Sequence, residues 1–198
     1  VNGSGQGTGQ AARPKRADAR RNEKALLDAA AAVFVTSGVE APIREIAAEA
    51  GVGTATIYRH FPTRADLIVA VYRHQVEALA EAGPALLVTE AGPHAALARW
   101  IALFVDFVTT KQGLARVLQS DEPCFDPLHA YFLEQLVPVC TRLLDAAAEA
   151  GEIRTDTGAH ELMLAVGGLC AVAGKQPRYD AHRLAGILVD GLRAGATA

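Results

Sequence analysis

Between Ile43 and Phe61 the apolar residues fall in two short groups separated by a single glycine, and this spacing constrains the fold more than any other feature of the chain. Ile46 and Ala47 belong to the first group, Ile57 to the second, and Gly51 lies between them. Two short helices can cross closely only if the residue at the crossing is small, as Ala47 is. The turn residue must also tolerate a left-handed conformation, as Gly51 does. The pattern is that of a helix-turn-helix unit resting on a support helix, and it suits a helix inserted into a DNA groove. The same spacing also suits two short helices of any α-helical domain, so at this level both readings stand.

The rest of the chain reads as helices as well. Leu26, Leu27, Ala30, Val33 and Phe34 recur at helical spacing from about Arg20 to Thr36, with Gly38 as the stop. Pro42 suits the first turn of the helix that carries Ile43, Ile46 and Ala47. Thr63-Arg64-Ala65-Asp66 has capping-box spacing and predicts a helix that runs to Gly83-Pro84. Further helices are expected over His94 to Lys111, over Leu114 to Gln119 after a break at Gly113, and over Pro127 to Ala150. Pro138 inside the last of these predicts a kink near Val137 or two helices meeting there. Two final helices span Thr157 to Gly174 and Tyr179 to Gly195. Leu and Ala far outnumber β-branched and aromatic residues, and no alternating run is bounded by hairpin turns, so the expected fold class is all-α.

Charge is unevenly placed. Residues 1–74 hold ten Lys/Arg against seven Asp/Glu, whereas residues 75–198 hold nine against fifteen. Arg13, Lys15, Arg16, Arg20, Arg21 and Lys24 form a basic arm behind a Gly/Ser/Gln-rich start, and a polyanion would meet the protein there. A merely solubilising tail accounts for the charge equally well. The chain has no apolar stretch long enough to span a bilayer and no apolar signal-peptide core, which predicts a soluble cytoplasmic protein without membrane contact.

Enzyme chemistry finds little support. Ser4, Ser37 and Ser120 sit in no nucleophile elbow, and the histidines lack metal-ligand spacing. Cys124, Cys140 and Cys170 form no CxxC pair, and Cys124 with His129 is a poor nucleophilic couple. Neither a catalytic residue, a cofactor nor a metal is therefore expected.

Three stretches together carry a family resemblance: Leu27-Asp-Ala-Ala with Phe34 and Gly38, Ile43-Arg-Glu-Ile-Ala-Ala-Glu-Ala-Gly-Val52, and Thr56-Ile-Tyr-Arg-His-Phe-Pro-Thr-Arg64. Over about residues 22–72 the chain resembles the N-terminal domain of TetR-family transcriptional regulators. The resemblance implies a three-helix DNA-binding domain over residues 20–66 behind an arm of residues 1–19. A linker helix over 63–82 and a C-terminal regulatory and dimerisation domain over 83–198 follow. It places Arg44, Thr54 and Thr56 near bases and Tyr58, His60 and Arg64 on the DNA backbone of a pseudo-palindromic double-stranded operator. Two positions depart from the pattern. Gly53 stands where a capping Ser is frequent, and Pro42 where a Thr commonly donates to phosphate, so both short helices lose a side-chain anchor. A sequence-tolerant architectural DNA binder is the rival expectation.

Phe104-Val-Asp-Phe-Val-Thr-Thr-Lys-Gln-Gly-Leu114 resembles the SbtR-like C-terminal subgroup. The resemblance implies a homodimer that pairs helices 157–174 and 179–195 with their copies, and a small-molecule effector pocket. Ala165, Gly167, Gly168 and Ala171 are small enough for close helix approach, while Leu184, Ile187, Leu188 and Leu192 form an apolar stripe. Trp100, Phe104, Phe107, His129, Tyr131 and Phe132 are the candidate effector-lining residues, against the plainer reading that they are core. Release of the repressor by its effector is the expected mode of regulation.

Overall fold

The computed structural model describes residues 12–118, 126–173 and 179–193, and among them it is all-α. Helices α1 (Ala12–Ser37), α2 (Ile43–Glu49), α3 (Thr54–His60) and α4 (Arg64–Thr89) are followed by α5 (Pro93–Leu118), α6 (Asp126–Glu149), α7 (Ala159–Ala173) and α8 (Ala181–Asp190). The chain forms two compact units that divide between Leu67 and Ile68, one turn into α4.

In the N-terminal unit, Leu26, Ala30, Val33 and Phe34 of α1 are buried together with Ile46 and Ala47 of α2 and Ile57 of α3. The hinge works as the sequence demands. Gly51 has φ +65°, which brings the Val52 N–H onto the Ala47 carbonyl at 3.0 Å and its own N–H onto Ala48 at 3.2 Å. These two bonds close α2 as a Schellman motif, a geometry that a Cβ at position 51 would strain. At the start of α4, the Thr63 N–H donates to Asp66 Oδ2 at 3.0 Å and the Asp66 N–H donates to Thr63 Oγ1 at 3.1 Å. This is a reciprocal capping box with Asp in the place of Glu. Helix α1 begins at Ala12, inside the stretch expected to be an arm.

The C-terminal unit is organised around α5, which packs against α6, α7 and α8. Trp100, Phe104, Leu97 and Ile101 of α5 are fully buried, with Leu136 and Leu143 of α6 and Val166 and Cys170 of α7. The first turn of α5 is held from a distance, for Glu152 Oε2 accepts the His94 N–H at 2.7 Å. Among the described residues no helix is long and apolar enough to cross a membrane.

Expected interruptions in α4 and α5 are absent, for physical reasons. Helix α4 runs through Gly83-Pro84 to Thr89. A Cβ on Gly83 would lie 2.2 Å from Val139 Cγ1 and 3.6 Å from Trp100 Nε1, so this glycine serves close helix packing and not chain termination. Helix α5 continues past Gly113 to Leu118 as one element, because an interior glycine costs a helix only about 1 kcal/mol. Of the two expectations at Pro138, two helices meeting there is not what forms: α6 is one helix, and Pro138 and Glu134 are both exposed, where water can serve the carbonyl that loses its partner.

Two outcomes test this packing. Gly83→Ala gains helix propensity but must displace Val139, so it should lower stability by about 1–3 kcal/mol, and Val139→Ala should restore most of the loss. A rise in melting temperature for Gly83→Ala alone would refute the close-packing role. Burial pushes the Cys140 thiol up to about 12 from its ordinary 9.0. The folded thiol keeps its proton where the unfolded one ionises, so its contribution is complete below pH 9 and declines as pH rises toward 12. Denaturant titrations across that window should show a shallower decline for Cys140→Ala.

Candidate DNA-contacting helix and effector cavity

Helix α3 displays its polar side outward while Ile57 anchors it. Thr54, Tyr58, Arg59 and His60 are exposed, Tyr58 at 51%, and Thr56 is half-buried. An aromatic ring left half in water on a two-turn helix has no packing role to explain it. The His60 ring lies 6.1 Å from the buried Phe61 ring, and its imidazole is accessible. Arg44 is exposed on α2. The structure thus gathers Arg44, Thr54, Thr56, Tyr58 and His60 on the elements that form the helix-turn-helix. Arg59, which sequence reasoning passed over, is a further exposed cation on α3. Neither Pro42 nor Gly53 supplies a side-chain cap, as their chemistry requires.

Arg64, expected on the DNA backbone, is engaged within its own unit. Its Nε donates to the Val39 carbonyl at 2.9 Å and its Nη2 to the Ala41 carbonyl at 2.7 Å, with a second Nη2 contact to Val39. The guanidinium therefore ties the turn before α2 to the first residue of α4. The turn is also closed by the Ala41 N–H on the Gly38 carbonyl at 3.1 Å, whereas Pro42 adds neither an N–H nor a hydroxyl. Arg64→Lys should not substitute, because an ammonium lacks the planar fork that spans two carbonyls. Both Arg64→Lys and Arg64→Ala should weaken the N-terminal unit by about 1.5–3 kcal/mol, read as faster amide exchange across residues 43–57. Unchanged exchange in Arg64→Ala would remove this role.

The C-terminal unit contains a cavity of about 320 Å³ between α5, α6 and α7. Phe104 and Val108 contribute from α5, His129, Phe132 and Leu133 from α6, and His160, Met163, Leu164, Gly167 and Gly168 from α7. Of the six candidate effector-lining residues, Phe104, His129 and Phe132 reach it and the other three do not. Trp100 is buried behind Phe104, its ring stacked within 2° at 5.7 Å and its indole N–H donating to the Leu79 carbonyl at 2.9 Å. Phe107 packs between Phe132 and Tyr72. Tyr131 turns away and donates to Glu77 at 3.0 Å beneath the Arg73 guanidinium, and its phenol is raised above its ordinary range by burial and by Glu77.

The α7 half of the lining escaped sequence reasoning. Gly167 and Gly168 were expected to admit another helix, and His160 gave no signal beyond its place at the start of an apolar helix. A second depression, between α4 and α6, is larger at about 620 Å³, but it is shallow and edged by Arg142, Asp145 and Glu149. Among the described residues no group of His, Cys, Asp and Glu could hold a metal ion. Cys124 and the Asp121-Glu122 pair lie outside the described residues.

A three-helix unit with an outward polar α3, joined by α4 to a helical unit that contains an apolar cavity, is the architecture of a DNA-binding regulator. Comparisons with known proteins agree. Residues 26–71 match the family described as bacterial regulatory proteins, tetR family, and residues 92–194 match the transcriptional regulator SbtR-like C-terminal domain. The chain belongs to the TetR family of DNA-binding transcriptional regulators.

Among its relatives is the HTH-type transcriptional activator FasR of Mycolicibacterium smegmatis, 30% identical over 165 residues, which cover 82% of this chain and 72% of that protein. The HTH-type transcriptional repressor LfrR of the same organism is 44% identical over 54 residues, 27% of this chain and 28% of that one. Among solved structures, the TetR transcriptional regulator SCO0520 from Streptomyces coelicolor has a TM-score of 0.76 at 37% identity, covering 88% of this chain and 99% of that one.

Proposed function

We propose that the protein is a cytoplasmic homodimeric repressor that binds a pseudo-palindromic operator and leaves it when a small molecule occupies the cavity between α5, α6 and α7. The observation that carries the effector reading is the run of rings from cavity wall to α4. Phe104 lines the cavity and stacks on Trp100, whose N–H holds Leu79 of α4. Phe132 lines it too and packs on Phe107, which packs on Tyr72 of α4. An occupant that moves either phenylalanine therefore has a packed route to α4, and interiors transmit such displacements because they are dense. The helix so reached is the one whose first turn lies in the DNA-binding unit.

Dimerisation is supported by the large apolar side chains left outside on the last two helices. Leu164 is 70% exposed, Val172 42% and Ile187 56%, beside exposed Ala165, Gly168 and Ala171. Burying such a surface against its own copy would pair two DNA-binding units in one molecule, as a two-fold operator requires. The relatives divide between a named activator and a named repressor. Repression is favoured here because a dimer that simply occludes its site needs no contact with other machinery.

At the DNA, Arg44 reads a guanine edge and Thr54 and Thr56 contact bases or methyl groups, while Tyr58 and His60 hold phosphates. The deciding experiment is a fluorescence-anisotropy titration of the full chain against the duplex flanking its gene and against a scrambled duplex, at one fixed near-physiological salt concentration. A large preference at two protomers per site, or a multiple of two, supports the operator-binding dimer. Equal affinity for both would favour the architectural rival. On the preferred duplex, Arg44→Ala should cost about 1–3 kcal/mol and relax specificity at one base pair per half-site, whereas Tyr58→Phe should weaken all sequences alike. Deleting residues 1–19 should flatten the salt dependence of binding if the basic arm follows the phosphates.

A further inference from the structure

The lining of the cavity specifies what it can hold. None of its described lining residues is Lys, Arg, Asp or Glu, and the only polar side chains among them are His129 on α6 and His160 on α7. Deep against the apolar wall a permanently charged group would surrender its hydration, and the described lining, whose His129 and His160 are both exposed, offers it no carboxylate, ammonium or guanidinium. A single hydroxyl could instead be served by an imidazole, which donates at one nitrogen and accepts at the other.

Shape narrows the choice further. The rings of Phe104 and Phe132 lie within 26° of each other at 6.0 Å, and those of Phe132 and His129 within 18° at 6.0 Å. The aromatic wall is thus a set of nearly parallel plates. On α7, Gly167 and Gly168 add a stretch of wall without side chains, and a Cβ built on either meets nothing within 4 Å. At about 320 Å³ the cavity stands at the lower end of small-molecule sites, which span roughly 300–1,000 Å³.

We infer that the cavity takes a flat, uncharged aromatic molecule of bicyclic size bearing one hydroxyl, its ring plane continuing the Phe104–Phe132–His129 array and its hydroxyl served by His129 and His160. Offset stacking on the plates favours a rigid ring over a flexible chain of equal apolar area, because the ring has no internal rotations to lose. The inference deepens the effector reading above and rests on it only for the consequence at DNA.

The test is isothermal titration of the full chain with 2-naphthol, decan-1-ol and 2-naphthoate, each repeated in the operator-anisotropy assay. These probes separate flatness from chain character and a neutral head from an anionic one. The expected result is binding of 2-naphthol at least tenfold tighter than either of the others. Gly167→Leu fills the slot from a position with room for a side chain and should abolish binding while the melting temperature is kept. His160→Ala and His129→Ala should each weaken 2-naphthol by about fivefold, the scale of one lost hydrogen bond. Tighter binding of decan-1-ol or 2-naphthoate, binding unaltered in Gly167→Leu and His160→Ala, or no heat with any probe would each overturn the inference. If 2-naphthol binds as expected but leaves operator affinity unchanged, the ligand class stands and the effector reading falls.

Discussion

The contact on which the C-terminal unit most depends is the one that Trp100 makes with α4. The indole is fully buried, and its N–H would be a costly orphan without the Leu79 carbonyl at 2.9 Å. The same ring stacks on Phe104. One side chain thus fixes the distance from α5 to α4 and also backs the wall of the cavity. The arrangement is possible only because Gly83 has no Cβ, which leaves Val139 of α6 free to close on the same spot. Three helices meet at a point where the sequence has no spare atom.

Much of the N-terminal unit was legible in the sequence because its signals are local. Gly51, Ala47 and the Thr63–Asp66 pair act on neighbours within five residues, and the structure closes each motif with the expected bonds. Arg64 was not legible in that way. Its carbonyl partners lie 23 and 25 residues away, so nothing near it in sequence marks the guanidinium as engaged. The terminators misled for a related reason. Glycine and proline are read as stops from local propensity, yet Gly83 is held by a neighbour on another helix and Pro138 loses its bond where water can replace it.

The cavity shows the other limit of a sequence pattern. Trp100, Phe104 and Phe107 recur at helical spacing on α5 and Phe132 faces them from α6, all with one chemistry, and only their depth separates a wall from the core behind it. Phe104 and Phe132 face the opening, while Trp100 and Phe107 stand one ring further back against α4. The glycines of α7 were misjudged by half. Their smallness was legible, but it leaves room beside the cavity as well as on the outer face of the helix.

This layering gives the two sets of aromatic residues different freedom to vary through descent. Lining residues that are not buried, such as His129, His160 and Gly167, can be exchanged with little effect on the helices, whereas Phe104 and Phe132 are core as well as wall. The Gly83–Trp100–Leu79 junction admits no such drift, since enlarging Gly83 or shrinking Trp100 alone leaves either a collision or a hole beside an unpaired carbonyl contact. Related chains that have changed what they sense should therefore differ first at positions 129, 160 and 167. Changes at 83 and 139 should appear together, each compensating the other.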